Sequence, residues 1–228
     1  MEVLPGVFAI DFRGRVWAYL VRDGNGFTLI DSGIAGDVDT VREAMREAGG
    51  ELADIRQIVL THYHSDHAGT AGPLQRVTKA TTMAHAADAE VIRGNAEQLA
   101  PVLSAQEKLL FDDVAGDIPP APPAEVHREL ADGDTIEIGE AARVIHVPGH
   151  TPGSIAIHLP SRGLLFTGDA AASLGTRLIV GVFNADPDAA RRSFVKLAVV
   201  APSAACFGHG PAMTEGAAEA FRALAERL

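Results

Sequence analysis

Thr61-His62-Tyr63-His64-Ser65-Asp66-His67-Ala68-Gly69 follows directly on the run Ile55 to Leu60. That run is short, rich in β-branched residues and closed off by polar ones, so it predicts a buried strand. Successive side chains of an extended chain alternate in direction. His62, His64 and Asp66 are therefore expected to project together, a turn at Asp66 brings His67 around, and Tyr63 points to the opposite side to pack. Imidazole nitrogen and carboxylate oxygen are the ligands that zinc takes in catalytic sites, where one position stays open for water. A polar loop with scattered histidines is the bland alternative. Three histidines and an aspartate within six residues, in a chain holding nine histidines in all, weigh against it.

Four such positions do not complete two metal shells, so the rest of the chain has to contribute. Three later segments place an imidazole or a carboxylate beside glycine, each at a predicted strand end: Pro148-Gly149-His150-Thr151-Pro152-Gly153, Thr167-Gly168-Asp169 and Gly208-His209-Gly210-Pro211. Glycine lets the backbone come close and turns the neighbouring side chain into a cleft. Singly, each would be read as a turn.

The order HxHxDH, PGHTPGS, TGD and GHG resembles the metallo-β-lactamase superfamily over nearly the whole chain. The resemblance implies an α/β fold, a four-layer αβ/βα sandwich of two mixed β-sheets with outer helices and the metals at one edge between the sheets. It also implies two Zn2+ per chain, with iron or manganese as alternatives. His62, His64 and His150 would hold one metal, Asp66, His67 and His209 the second, and Asp169 would bridge them. Ile30-Asp31-Ser32-Gly33 resembles the first motif of the family. Asp31 would accept a hydrogen bond from a ligand imidazole and fix its tautomer, the plainer alternative being a helix cap or turn residue.

The chemistry implied is hydrolysis by a hydroxide shared between the metals, directed at an ester, thioester, lactone or related bond of a small molecule. Asp66 would be the catalytic residue that orients the hydroxide or carries its proton to the leaving group. Glyoxalase II enzymes resemble the chain in every ligand, but take glutathione through a helical segment beyond the last metal histidine, where one helix is expected here. Acyl-homoserine lactonases place a tyrosine just past the bridging aspartate, where this chain reads Ala170-Ala171-Ala172-Ser173-Leu174. Secreted β-lactamases usually lack the bridging aspartate and carry an export signal; a β-lactamase-like amide hydrolase remains an alternative reading. Persulfide dioxygenases, a redox alternative, resemble the same motifs and use one iron at the positions of His62, His150 and Asp169. Flavodiiron proteins normally have glutamate where His64 stands. A shared fold does not by itself choose among these.

Composition narrows the partners. Of the 228 residues 47% are hydrophobic, enough to bury a substantial core. The formal charge of −11 lacks the clustered Lys and Arg that phosphate recognition needs, so a small-molecule substrate is expected and a nucleic acid is not. No stretch approaches a membrane span. Met1 to Ile10 has neither a basic nor a sustained apolar signal region, which fits a cytoplasmic protein. Cys206 is the sole cysteine, so a disulfide within the chain is excluded. The oligomeric state is left open, a homodimer included.

The rest of the chain reads as three strands from Val7 to Ser32, a helix from Asp37 to Ala48, helices at Thr70–Val77 and Ala86–Arg93 around a strand at Ala80–Ala84, strands between Val126 and Thr167, a helix over Pro187–Val199, a short strand at Ala204–Phe207 and a C-terminal helix. Between them lies an excursion at about residues 95–123. Ala96 to Val114 has apolar residues at loosely helical spacing, and Pro119-Pro120-Ala121-Pro122-Pro123 follows. Strand-like pattern resumes at once, so a single domain over 1–228 is expected. His85, His127, His146 and His158 lie outside every motif and are expected on the surface or in the core.

Overall fold

Strict alternation of side chains sets the layers of the protein, whose computed structural model describes residues 1–175 and 177–228. β1 (Glu2–Leu4) pairs with β2 (Val7–Phe12), and in β2 Phe8, Ile10 and Phe12 face one side while Val7 and Ala9 face the other. All five are buried, so both faces of this strand are covered. β3 (Val16–Asp23) and β4 (Gly26–Ile30) continue the antiparallel meander around the turn at Arg13-Gly14. Helix α1 (Val38–Glu47) then crosses over to β5 (Ile55–Val59), which lies parallel to β4. After the one-turn helix α2 (Ser65–Ala68), α3 (Ala71–Thr78) leads to β6 (Thr81–His85) and α4 (Ala86–Ile92) follows it. The first sheet thus runs from β1 to β7 (Arg128–Leu130) in chain order, antiparallel at its start and parallel at its end.

α5 (Ala105–Val114) precedes β7 (Arg128–Leu130). The second sheet contains β8 (Thr135–Glu137), β9 (Ala141–His146), β10 (Ile155–Leu159), β11 (Leu164–Phe166) and β14 (Ala204–Cys206), in the order β14-β11-β10-β9-β8. β12 (Ala171–Leu174) and β13 (Arg177–Val180) form a separate hairpin. α6 (Pro187–Val200) is the crossover that makes β14 parallel to β11, and α7 (Ala217–Ala225) closes the chain.

Three apolar layers follow from this. Phe8, Phe12, Leu29, Met45, Ile58 and Leu74 fill the space between the first sheet and its helices. Val21, Val59, Val144, Ile157 and Phe166 lie between the two sheets. Ile145, Leu165, Phe194, Leu197 and Phe221 lie between the second sheet and α6 and α7. The result is helix, sheet, sheet, helix, the αβ/βα sandwich of two mixed sheets. Among the described residues no helix is long and apolar enough to cross a membrane.

Two segments differ from the sequence expectation. The helix predicted from Ala96 begins only at Ala105, where Ser104 and Glu107 form a reciprocal cap. Upstream, the amides of Leu99 and Val102 bond the Tyr63 hydroxyl and the Asn184 carbonyl rather than a preceding turn, and Pro101 has no amide to give. In the hairpin β12–β13, Ala171–Leu174 has little strand preference of its own and is extended by pairing with Arg177–Val180, whose Ile179 and Val180 favour a strand.

Candidate metal centre

Every chemistry-bearing segment leaves the C-terminal end of a strand, from both sheets. Asp31 follows β4, His62 to His67 follow β5, His150 follows β9, Asp169 follows β11 and His209 follows β14. The His62–Asp66 alternation expected from an extended strand is not how they converge. β5 stops at Val59, His62 and His64 lie on the loop beyond it, and Asp66 and His67 lie on α2, for which His64 is the N-terminal residue outside the helix. Tyr63 is buried on the helix side of the first sheet, and its hydroxyl accepts from the Leu99 amide.

Three overlapping sets of ligand atoms lie within 4.8 Å of one another: His62, His64 and His150; Asp66, His67 and His209; and His62, His67 and Asp169. Asp169 touches members of both of the first two sets. Its Oδ1 is 3.3 Å from His67 Nε2, and its Oδ2 is 3.4 Å from His150 Nε2 and 3.1 Å from His209 Nε2. Asp66 Oδ2 stands 3.5 Å from His209 Nε2.

Outer partners fix the imidazoles. His67 Nδ1 donates to Asp31 Oδ2 at 3.0 Å, His150 Nδ1 to the Val182 carbonyl at 3.0 Å and His209 Nδ1 to the Arg15 carbonyl at 2.7 Å. The Thr61 hydroxyl donates to Asp31 and so accepts from His62 Nδ1 at 3.0 Å. With Nδ1 so engaged, each of these four rings turns Nε2 inward, as a metal-ligating imidazole must. His64 turns Nδ1 inward instead, 2.8 Å from His150 Nε2.

The buried atoms His62 Nε2, His67 Nε2 and Asp169 Oδ1 have no hydrogen-bond partner among the described residues. Buried polar atoms are seldom left so, and five nitrogens with two carboxylates are the donor set that divalent cations take. The residues fit a pair of cations. Electrostatics divides them. Burial and the neighbouring imidazoles push His62, His64 and His150 below the ordinary histidine range. At His67 and His209 lost hydration is outweighed by the charge of Asp169, which lifts His67 well above that range and His209 to about 9. Burial alone would raise Asp169, but the two imidazoles hold it well below the usual carboxylate range.

Asp31, in the left-handed region at φ 57°, accepts from the Thr61 amide at 2.7 Å and its hydroxyl at 2.8 Å as well as from His67. Gly208 packs so closely beneath the site that a Cβ there would lie 2.2 Å from Asp169 Oδ1 and 2.5 Å from His67 Cε1. Of the other histidines, His85 and His146 stack on each other at 4.0 Å, and His127 Nδ1 accepts from the Thr82 amide. One buried carboxylate carries no sequence signal at all. Asp88, on α4, is pushed up to about 6 by burial, against hydrogen bonds that hold it down.

The sequence profile of the metallo-beta-lactamase superfamily matches residues 11–209. A hydroxyacylglutathione hydrolase of Cereibacter sphaeroides is 34% identical over 197 residues, which is 85% of this chain and 62% of that protein. The chain thus spans about three fifths of the length of that relative. The uncharacterized protein YobT of Bacillus subtilis is 30% identical over 92% of this chain and 87% of its own. The crystal structure of TTHA1623 in a di-iron-bound form is similar with a TM-score of 0.68 and 27% identity, covering 93% of this chain and 96% of that one. Profile, relatives and sandwich agree: the chain belongs to the metallo-beta-lactamase superfamily.

Proposed function

We propose that the protein is a hydrolase that holds two zinc ions and cleaves the thioester or ester bond of a small molecule. The observation that carries the proposal is Asp169, whose two oxygens reach both ligand sets while one of them has no hydrogen-bond partner. His62, His64 and His150 would hold one cation, Asp66, His67 and His209 the other, with Asp169 common to both. Such cations polarise a carbonyl and bring a water's pKa toward neutrality.

The remaining work belongs to the chain. Asp66, whose side chain is 14% exposed and stands 3.5 Å from His209 Nε2, would take a proton from the attacking water and return it to the departing thiolate or alkoxide. Asp31, Thr61 and the carbonyls of Val182 and Arg15 keep the imidazoles in the ligating tautomer through the cycle. The similarity to hydroxyacylglutathione hydrolases supports an acyl thioester as substrate. The net charge of −11 is consistent with a small-molecule substrate in preference to a nucleic acid.

The di-iron relative supports iron as a second candidate for the same ligands. Elemental analysis of purified protein, together with a panel of thioester, ester, lactone and β-lactam substrates, tests the reading. Two cations per chain with thioester or ester turnover is expected, and Asp169→Ala should retain at most one cation and lose activity by orders of magnitude. A single iron, oxygen uptake with a persulfide, and unchanged metal content in His67→Ala and His209→Ala would overturn it in favour of a dioxygenase.

A further inference from the structure

Asp88 touches none of the imidazoles, yet it sits between the two loops that carry three of them. Its Oδ2 accepts from the Tyr63 amide at 3.1 Å and from the Thr151 hydroxyl at 2.7 Å, and its Oδ1 accepts from the Gly153 amide at 2.7 Å. Tyr63 separates His62 from His64, and Thr151 directly follows His150. We infer that Asp88 is the positioning residue of the His62–His64–His150 subsite and sets its affinity for a cation; the inference rests on the metal-ligand reading above.

The two loops belong to different sheets. One follows β5 and the other follows β9. Across the gap the Ile155 amide bonds the Thr61 carbonyl and His64 Nδ1 meets His150 Nε2, and Asp88 is a side chain that both loops grip. Asp88 is fully buried and held by α4, whose Ala89 and Ile92 pack in the core, so its carboxylate is a fixed point. Three donors converge on it, and an ionised carboxylate is the one side chain of this size that only accepts. An amide in its place would turn an NH2 group toward one of those donors. The loop also comes closer than any other residue would permit: a Cβ on Gly153 would lie 2.5 Å from Asp88 Cγ.

Asp31 plays the corresponding part for the other subsite, but by a different route. It grips the His67 ring itself, whereas Asp88 reaches only backbone and a hydroxyl. Loss of Asp88 should therefore leave every ligand's tautomer and basicity alone and change only where the rings stand. Partners that hydrogen-bond a metal ligand itself commonly govern affinity by about ten- to a hundredfold, and a residue that acts through the adjoining backbone is expected at the lower end of that range.

The test compares affinities one subsite at a time, by zinc competition against a chromophoric chelator. In a His209→Ala background, which keeps the His62–His64–His150 subsite, Asp88→Asn is expected to weaken zinc by about tenfold. In a His64→Ala background, which keeps the Asp66–His67–His209 subsite, the same change should shift affinity by less than about threefold. Thr151→Val, which removes one donor and leaves the buried charge in place, should show the same asymmetry with a smaller effect, and it serves where Asp88→Asn does not fold. Equal weakening of both subsites, or a lower melting temperature with both affinities intact, would make Asp88 merely structural and overturn the inference while sparing the hydrolase reading. An unaltered chain that takes up no zinc would overturn both.

Discussion

Gly208→Ala adds one methyl group to the floor of the site, and its consequences can be worked out from distances. The new Cβ would lie 2.2 Å from Asp169 Oδ1 and 2.5 Å from His67 Cε1, where ordinary contact begins at 3.4 Å. Relief requires the carboxylate to retreat by about 1.2 Å and the ring by about 0.9 Å. Both obstacles are side chains, and Gly208 is not in the left-handed region, so the backbone can keep its path. Overpacking of this kind costs about 1–3 kcal/mol, which for a domain of this size lowers the melting temperature by roughly 2–12 °C. The effect on the cations is larger. Ligand distances tolerate about 0.2 Å, so displacements several times greater should remove the cation shared by His67 and Asp169. Elemental analysis of Gly208→Ala should find one cation fewer than in the wild type, with hydrolysis reduced at least a hundredfold and the far-ultraviolet circular dichroism unchanged. Gly116→Ala, where a Cβ would meet nothing within 4 Å, is the control and should match the wild type. Full metal content and full activity in Gly208→Ala would refute the placement of His67 and Asp169 as ligands above that glycine.

Three further outcomes follow from charge and exposure. A cation entering the second subsite must displace the proton that Asp169 keeps on His209, whose pKa stands at about 9. Apparent affinity of chelator-treated protein should therefore rise at least about tenfold per pH unit from near pH 7 until the pH passes about 9, with proton release in weak buffer; a flat profile would contradict it. The sign reverses for the stability of that metal-stripped protein. A raised histidine pKa contributes stability that is fully present below the ordinary value near 6.5 and is lost as the pH rises through about 9, so its melting temperature should fall across that interval. In the excursion, Leu99, Val102, Leu109 and Leu110 are exposed, and Phe111 meets Phe183 at 5.2 Å, one residue from the carbonyl that holds His150. Replacing Leu103 and Phe111 by serine should raise KM for small, partly apolar substrates by about tenfold with kcat little changed. A fall in stability with unchanged kinetics would assign the segment to packing instead.

How much of this was legible in the sequence depends on how local each feature is. The HxHxDH run, the glycine-flanked His150, Asp169 and His209, and the strands before them are written in adjacent residues, so the candidate ligands can be read from them, while their division into two sets and the layer order come from the family resemblance. The mode of convergence cannot, because where β5 ends is decided by pairing with β4 and β6 and not by its own residues. Asp88 is silent for a sharper reason. Its donors lie 25, 63 and 65 residues away on two loops, and nothing around it in an alanine-rich helix marks it. The excursion misleads in the opposite way: apolar spacing predicts a helix from Ala96, while Tyr63 and Asn184 take up the amides that such a helix would need.

Tyr19 bears on how the molecule comes together in time. Its hydroxyl donates to the Phe207 carbonyl and accepts from the Phe207 amide, a closure across 188 residues, and it anchors the loop bearing His209 onto β3. Most strands pair with a neighbour in the chain, and such short-range pairings form early, whereas the entropy lost in closing a loop grows with its length. The stretch around His209 is therefore among the last to arrive during refolding. Until it does, a cation meets only the earlier ligands and gains no grip from the final one. Tight metal uptake during refolding, followed in a stopped-flow instrument, should then lag behind the appearance of sheet structure and keep time with the burial of Tyr19.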